Sequence, residues 1–131
     1  MTSLSQGSLA SPDNSSNMTT YVTSDCLVFP VQAELSKQAA LNVQAFILDQ
    51  VHSKSYNGVI IDLSGVEVID SVLWQVFANT CVMINMLGYR TVITGLNPGV
   101  VAAIMDINVD LTKVITAMDI QDALNILTTK D

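Results

Sequence analysis

Asp62, Glu67, Asp70 and Ser71 crowd one short stretch, VIIDLSGVEVIDS. Carboxylates grouped this closely could hold Mg²⁺ through oxygen ligands. Such a site normally works on phosphates, yet the chain has neither a P-loop nor a GxGxxG loop to cradle one. Ser71 asks a different question. It stands after Asp70 where an apolar run changes from strand-like to helix-like spacing. In the plainer reading, Asp70 or Ser71 caps the helix, a role worth about 1 kcal/mol. The chemical reading adds to that one. A hydroxyl at a helix N-terminus is exposed, and a phosphate placed on it brings about −1.5 to −2 charges. The helix dipole tolerates that charge, so the fold persists. Asp70 and Glu67 would repel it, as would an acidic or apolar partner already docked there.

The remaining candidates are weaker. His52 is the single histidine and lies late in a helical stretch, with no second histidine at i+4 and no cysteine nearby. It reads as a side chain that assists a helix C-terminus, not as a ligand. A Ser-His-Asp hydrolase would want a GxSxG elbow, and Ser64-Gly65 lacks the flanking glycine. The run GLNPG, Gly95 to Gly99, could hold an anion at a helix N-terminus, but a tight loop with a good cap accounts for it. Cys26 and Cys81 are far apart and outside any metal-spaced array, as expected of two buried, reduced thiols.

Composition bounds these readings. The chain has 131 residues, of which 50% are hydrophobic and 13% charged. That suits one domain with a real core and is too apolar for a disordered chain. Aromatics are few, so Val, Ile, Leu, Met and Ala must build the core. A net charge of −7 excludes a nucleic-acid footprint and favours a basic partner. No apolar run reaches the roughly 20 residues a bilayer span needs. The N-terminus does not open with a basic start and an apolar run, so a cytoplasmic protein is expected.

Positioning falls to alternating elements. Residues 1–17 are rich in Ser, Asn and Gly and read as a disordered tail, with one domain over 18–131. Met18–Thr23 and Cys26–Ala33 suggest a hairpin turned by Ser24 and Asp25, with an edge or bulge at Pro30. Glu34–Lys54 carries a helical stripe stopped by Asn57 and Gly58. Val59–Leu63 and Thr91–Thr94 read as buried strands. A helix over Val72–Leu87 should end at Gly88, and Asn97-Pro98 should open another to about Asp106. Lys113–Thr116 is a last strand, and Asp119 caps a helix through Leu127. Strands alternating with helices predict an α/β fold: a mostly parallel sheet with packed helices and an N-terminal β-hairpin.

These pieces resemble a known family. VIIDLSGVEVIDS, MLGYRTVITGLNP, INVDL and ITAMDIQDALNIL together are similar to the STAS domain of anti-sigma factor antagonists, over about Thr19 to Leu127. Within it, the serine at the switch and the short N-terminal tail resemble RsbS-type stressosome scaffolds. RsbR-type sensors usually carry threonine there and a whole sensory domain. Sporulation-type antagonists usually read DSSGL, where this chain has Asp70-Ser71-Val72-Leu73-Trp74. The resemblance implies a non-enzymatic scaffold in which Ser71 accepts phosphate from an RsbT-type switch kinase that holds the ATP. It also implies RsbR-type paralogues in a large, oligomeric complex, an RsbX-type phosphatase and no cofactor. The expected partner surface is Asp70, Ser71, Val72, Trp74 and Asp62, with Trp74 contributing if it is exposed. Val72 departs from the aromatic common after DS in the scaffolds. The competing expectation is a sensory module binding a small anion or nucleotide through Asp62, Ser64, Thr94 and Gly95. A third is a homodimeric structural module.

Overall fold

Ser24 and Asp25 reverse the chain, both with positive φ (51° and 60°), the pair of left-handed residues that a two-residue hairpin turn needs. They join β1 (Tyr21–Thr23) to β2 (Cys26–Gln32). Asn57 secures the turn from outside: its backbone N–H donates to Asp25 O (2.7 Å) and its Nδ2 to Ser24 O (3.2 Å). The computed structural model describes residues 19–32, 35–52, 55–106 and 114–129. The expected tail, the INVDL motif and the outer ends of several expected elements, among them Met18, Glu34, Lys54 and Lys113, lie outside the described residues.

After the hairpin come α1 (Lys37–Val51), β3 (Gly58–Gly65), α2 (Ser71–Met86), β4 (Thr91–Thr94), α3 (Pro98–Asp106), β5 (Ile115–Ala117) and α4 (Ile120–Thr128). The five strands form one sheet in the order β1-β2-β3-β4-β5. Only the β1–β2 pair is antiparallel. This is the expected α/β architecture.

Alternation along the strands divides the core. Leu27, Phe29 and Val31, then Val59, Ile61 and Leu63, then Ile93 face one side. There they meet Ala40, Val43, Ile47 and Val51 of α1, Leu73, Trp74, Phe77 and Ile84 of α2, and Val100 and Ile104 of α3. Cys26, Val28, Ile60 and Val92 face the other side against Ala123 and Leu127 of α4. A polar tie joins α1 to α2 at the edge of the larger core. Gln44 Nε2 donates to Thr80 Oγ1 (2.9 Å), and Thr80 Oγ1 donates to Val76 O (2.7 Å).

Several boundaries shift. α1 starts at Lys37 because Ser36 is its N-cap, accepting from the Ala39 N–H at 3.0 Å. That helix ends at Val51 with His52 as C-cap, before Asn57 and Gly58. Gly58 instead opens β3 against Leu127, where an added Cβ would lie 2.6 Å from a methyl carbon. α2 ends as expected at Gly88, whose φ of 99° suits a C′ glycine. Asp119 caps α4 by accepting from the Asp122 N–H at 2.9 Å. The irregularity expected at Pro30 is present. Pro30 pairs with Asp62 and Gln32 with Gly65, so the extra residue of the bulge belongs to β3.

Candidate functional site

β3 ends at the carboxyl edge of the parallel strands, where α/β sheets commonly place their sites. Asp62, half-buried, sits there beside Thr94, its register partner on β4. Its carboxylate gathers three donors. Ser64 N–H donates to Oδ1 (3.2 Å), Ser64 Oγ to Oδ2 (3.0 Å) and Thr94 Oγ1 to Oδ1 (3.1 Å). Gly95 closes in behind with φ of 79°. An added Cβ there would stand 2.6 Å from both Asp62 Oδ1 and the Ser64 nitrogen.

The sequence therefore does bring Asp62, Ser64, Thr94 and Gly95 together. Both hydroxyls, however, donate inward to a carboxylate, which presents negative charge where an anion would have to sit. The arrangement does not favour the anion or nucleotide reading. Nor do the acids build a magnesium site: among the described residues no group of three His, Cys, Asp or Glu side chains is placed to hold a metal ion.

Five residues, 66–70, carry the chain from β3 to α2. Val66 and Ile69 are buried in the larger core and pin the loop at two points. The Val66 N–H donates to Leu63 O at 2.9 Å. Glu67, Val68 and Asp70 face outward, and Val68 is 78% exposed. Asp70 is the N-cap, with extended backbone and Oδ1 accepting from the Leu73 N–H at 2.8 Å. This resolves the choice of cap in favour of Asp70 and makes Ser71 the first helical residue. Ser71 is exposed, and its Oγ makes no hydrogen bond among the described residues. Val72 beside it is 45% exposed. Asp70, Ser71, Val72 and Val68 are thus all exposed at or beside this junction and offer acid, hydroxyl and apolar surface. Val68 went unnoticed in the sequence, because Val66, Val68 and Ile69 are alike in type and no periodicity separates the exposed one from the two that are buried.

Trp74 is a correction. It is 1% exposed, on the buried face of α2 within the larger core, and cannot contact a partner from there. Among the described residues its Nε1 has no hydrogen-bond partner. The cysteines are also interior. Cys81 lies in the larger core, and burial pushes its thiol up to about 12, which makes it a poor nucleophile. Cys26, across the sheet, is raised by burial and then by Asp25. His52 is exposed at the end of α1.

A mostly parallel sheet in this order, opened by an N-terminal hairpin, defines an α/β domain whose β3–α2 junction carries an exposed serine at a capped helix start. The chain belongs to the STAS domain family, which matches residues 17–123. It is similar to the RsbT co-antagonist protein RsbRD of Bacillus subtilis, 24% identical over 104 residues, 79% of this chain and 37% of the relative. The chain spans roughly a third of the length of the curated relatives it matches. Among solved structures, RsbS of Moorella thermoacetica superposes with a TM-score of 0.73 at 24% identity, covering 84% of this chain and 93% of that one. A chain of the stressosome, described as a signal integration and transduction hub, superposes with a TM-score of 0.72 at 26% identity over 83% and 95%.

Proposed function

We propose that this STAS domain is a non-enzymatic phospho-switch scaffold acting through Ser71. Unphosphorylated, it holds an RsbT-type serine/threonine switch kinase in a large oligomeric assembly with RsbR-type paralogues. Phosphate on Ser71 releases the kinase to signal downstream, and an RsbX-type phosphatase resets the state. The kinase supplies the ATP site, and the assembly is cytoplasmic. The observation that carries the reading is the Ser71 hydroxyl, exposed and without a hydrogen bond among the described residues at the first residue of α2, flanked by Asp70 and Val72. Relatives named as RsbT co-antagonists support the kinase as partner.

The physics of the switch is local. A phosphate at the first turn meets free N–H groups and the positive end of the helix dipole, so α2 accepts it. The same charge, beside Asp70 and Glu67, spoils a surface that an acidic or apolar partner face had covered. Among the described residues no helix is long and apolar enough to cross a membrane.

The test is a titration of an RsbT-type kinase with wild type and Ser71→Asp, with melting curves for both. The mutant should bind about tenfold more weakly, or worse, because a new carboxylate at the junction must be desolvated where the partner docks. Its melting temperature should stay within a few degrees of wild type. Equal affinity for the two proteins would defeat the reading.

A further inference from the structure

We propose that Asp62 is a positioning residue that sets where the 66–70 loop, and with it Ser71, stands, acting through Ser64 and Thr94 without touching a partner itself. The inference rests on the reading of Ser71 as the phosphate acceptor. It reassigns Asp62 from the expected partner surface to the scaffold beneath it.

β3 leaves the sheet through a bulge. It carries an extra residue between Asp62 and Gly65 relative to β2, and such a bulge bends a strand and re-aims the chain beyond it. Left to itself, a bulged strand end has a weakened ladder and several exits open to it. Asp62 removes that freedom. One carboxylate holds both the backbone N–H and the hydroxyl of Ser64, and it is held in turn by Thr94 on the neighbouring strand. Thr94 is fully buried, so its hydroxyl is a fixed donor. Gly95, without a side chain, lets the β4 exit lie directly against the same carboxylate. The clamp therefore ties the ends of β3 and β4 into one unit.

Beyond Gly65 the chain has five residues in which to reach Ser71, and two of them, Val66 and Ile69, are anchored in the core. A connection this short and this anchored has little slack. A shift at Ser64 is passed to Val66 and then to the Asp70 cap. Asp62 is suited to this task because its side-chain oxygens accept from Ser64 and Thr94 at once, with Oδ1 alone taking two of the three bonds.

The experiment is amide hydrogen exchange on the full chain for wild type, Asp62→Ala, Asp62→Asn, Thr94→Val and Thr94→Ser, alongside the rate of phosphate uptake at Ser71 with an RsbT-type kinase and ATP. Thr94→Val is close to isosteric, so it keeps the fold even if Asp62→Ala does not. In Asp62→Ala and Thr94→Val the amides of residues 66–70 should exchange about tenfold faster, the factor set by losing a net hydrogen bond. The interior of α2, residues 76–84, should be unchanged. Thr94→Ser and Asp62→Asn, which keep donor and acceptor oxygens, should restore protection. Phosphate uptake should slow in the first pair and recover in the second. Unchanged loop exchange would overturn the proposal, and so would an equal rise in the loop and the α2 interior, which would mark Asp62 as a general stabiliser. A wild type that takes up no phosphate would count against the Ser71 reading alone, since the exchange data would still decide the role of Asp62.

Discussion

Asp70 carries two roles that a pair of substitutions separates. Its Oδ1 accepts from the Leu73 N–H at 2.8 Å, satisfying one of the free donors of the first turn. Replacing an N-cap of this type by alanine costs about 1 kcal/mol. Losing its negative charge at the positive end of α2 costs about 0.5 kcal/mol more. Asp70→Ala should therefore lose about 1.5 kcal/mol. At about 2.1 cal/mol/K of unfolding entropy per residue, that lowers the melting temperature of this chain by about 5 °C. Asp70→Asn keeps an oxygen acceptor and loses only the charge, so it should drop by about 2 °C, and less in high salt. Differential scanning calorimetry at low and high salt reads both values. If Asn falls as far as Ala, the acceptor role is wrong and the charge alone matters. If Ala melts with wild type, Asp70 is no cap in solution. The Asn variant then serves the functional question. With the cap retained, any loss of kinase binding reports a direct contact from the carboxylate.

Gly95→Ala forces a side chain into φ of 79° and against Asp62, and should cost about 2 kcal/mol or more in urea unfolding. Trp74→Ala should cost about 3–5 kcal/mol. Trp74→Phe should cost much less, because it also removes the unpartnered Nε1, and near-neutral behaviour of the Ala variant would restore Trp74 to the surface. Cys81 sets an alkaline limit. Its thiol ionises at about 12 in the folded chain against 9.0 ordinarily, so its stabilising effect is complete below pH 9. Between those values the unfolded chain alone has released the proton, and stability should fall by about 1.4 kcal/mol per pH unit. Unfolding titrations of wild type and Cys81→Ala across this range should show a steeper fall in wild type, the variant keeping only the smaller contribution of groups such as the raised Cys26 thiol.

Where local chemistry decides structure, the sequence was legible. β4 matches at both ends because Gly88 stops the helix before it and Asn97-Pro98 starts the one after. The hairpin, the bulge near Pro30 and the caps at Asn97 and Asp119 come from the same kind of signal. α2 was harder, for it contains no charged residue and its apolar positions run nearly all round. Both Leu73 and Trp74 are buried, so its periodicity could not show which side faced the sheet. Asp70 and Ser71 are equally good caps by type, and only the Asp70 bond to Leu73 separates them. Asp62 and Thr94, 32 positions apart, were grouped from sequence at the carboxyl edge of parallel strands, but only the structure shows that Thr94 donates to the Asp62 carboxylate and so fills the site from within.

The most direct measurement is the intact mass of wild type and Ser71→Ala after incubation with an RsbT-type kinase and ATP. A phospho-switch at Ser71 requires one added phosphate on wild type and none on the variant. A wild type that gains no phosphate, or a variant that gains one as readily, would contradict it.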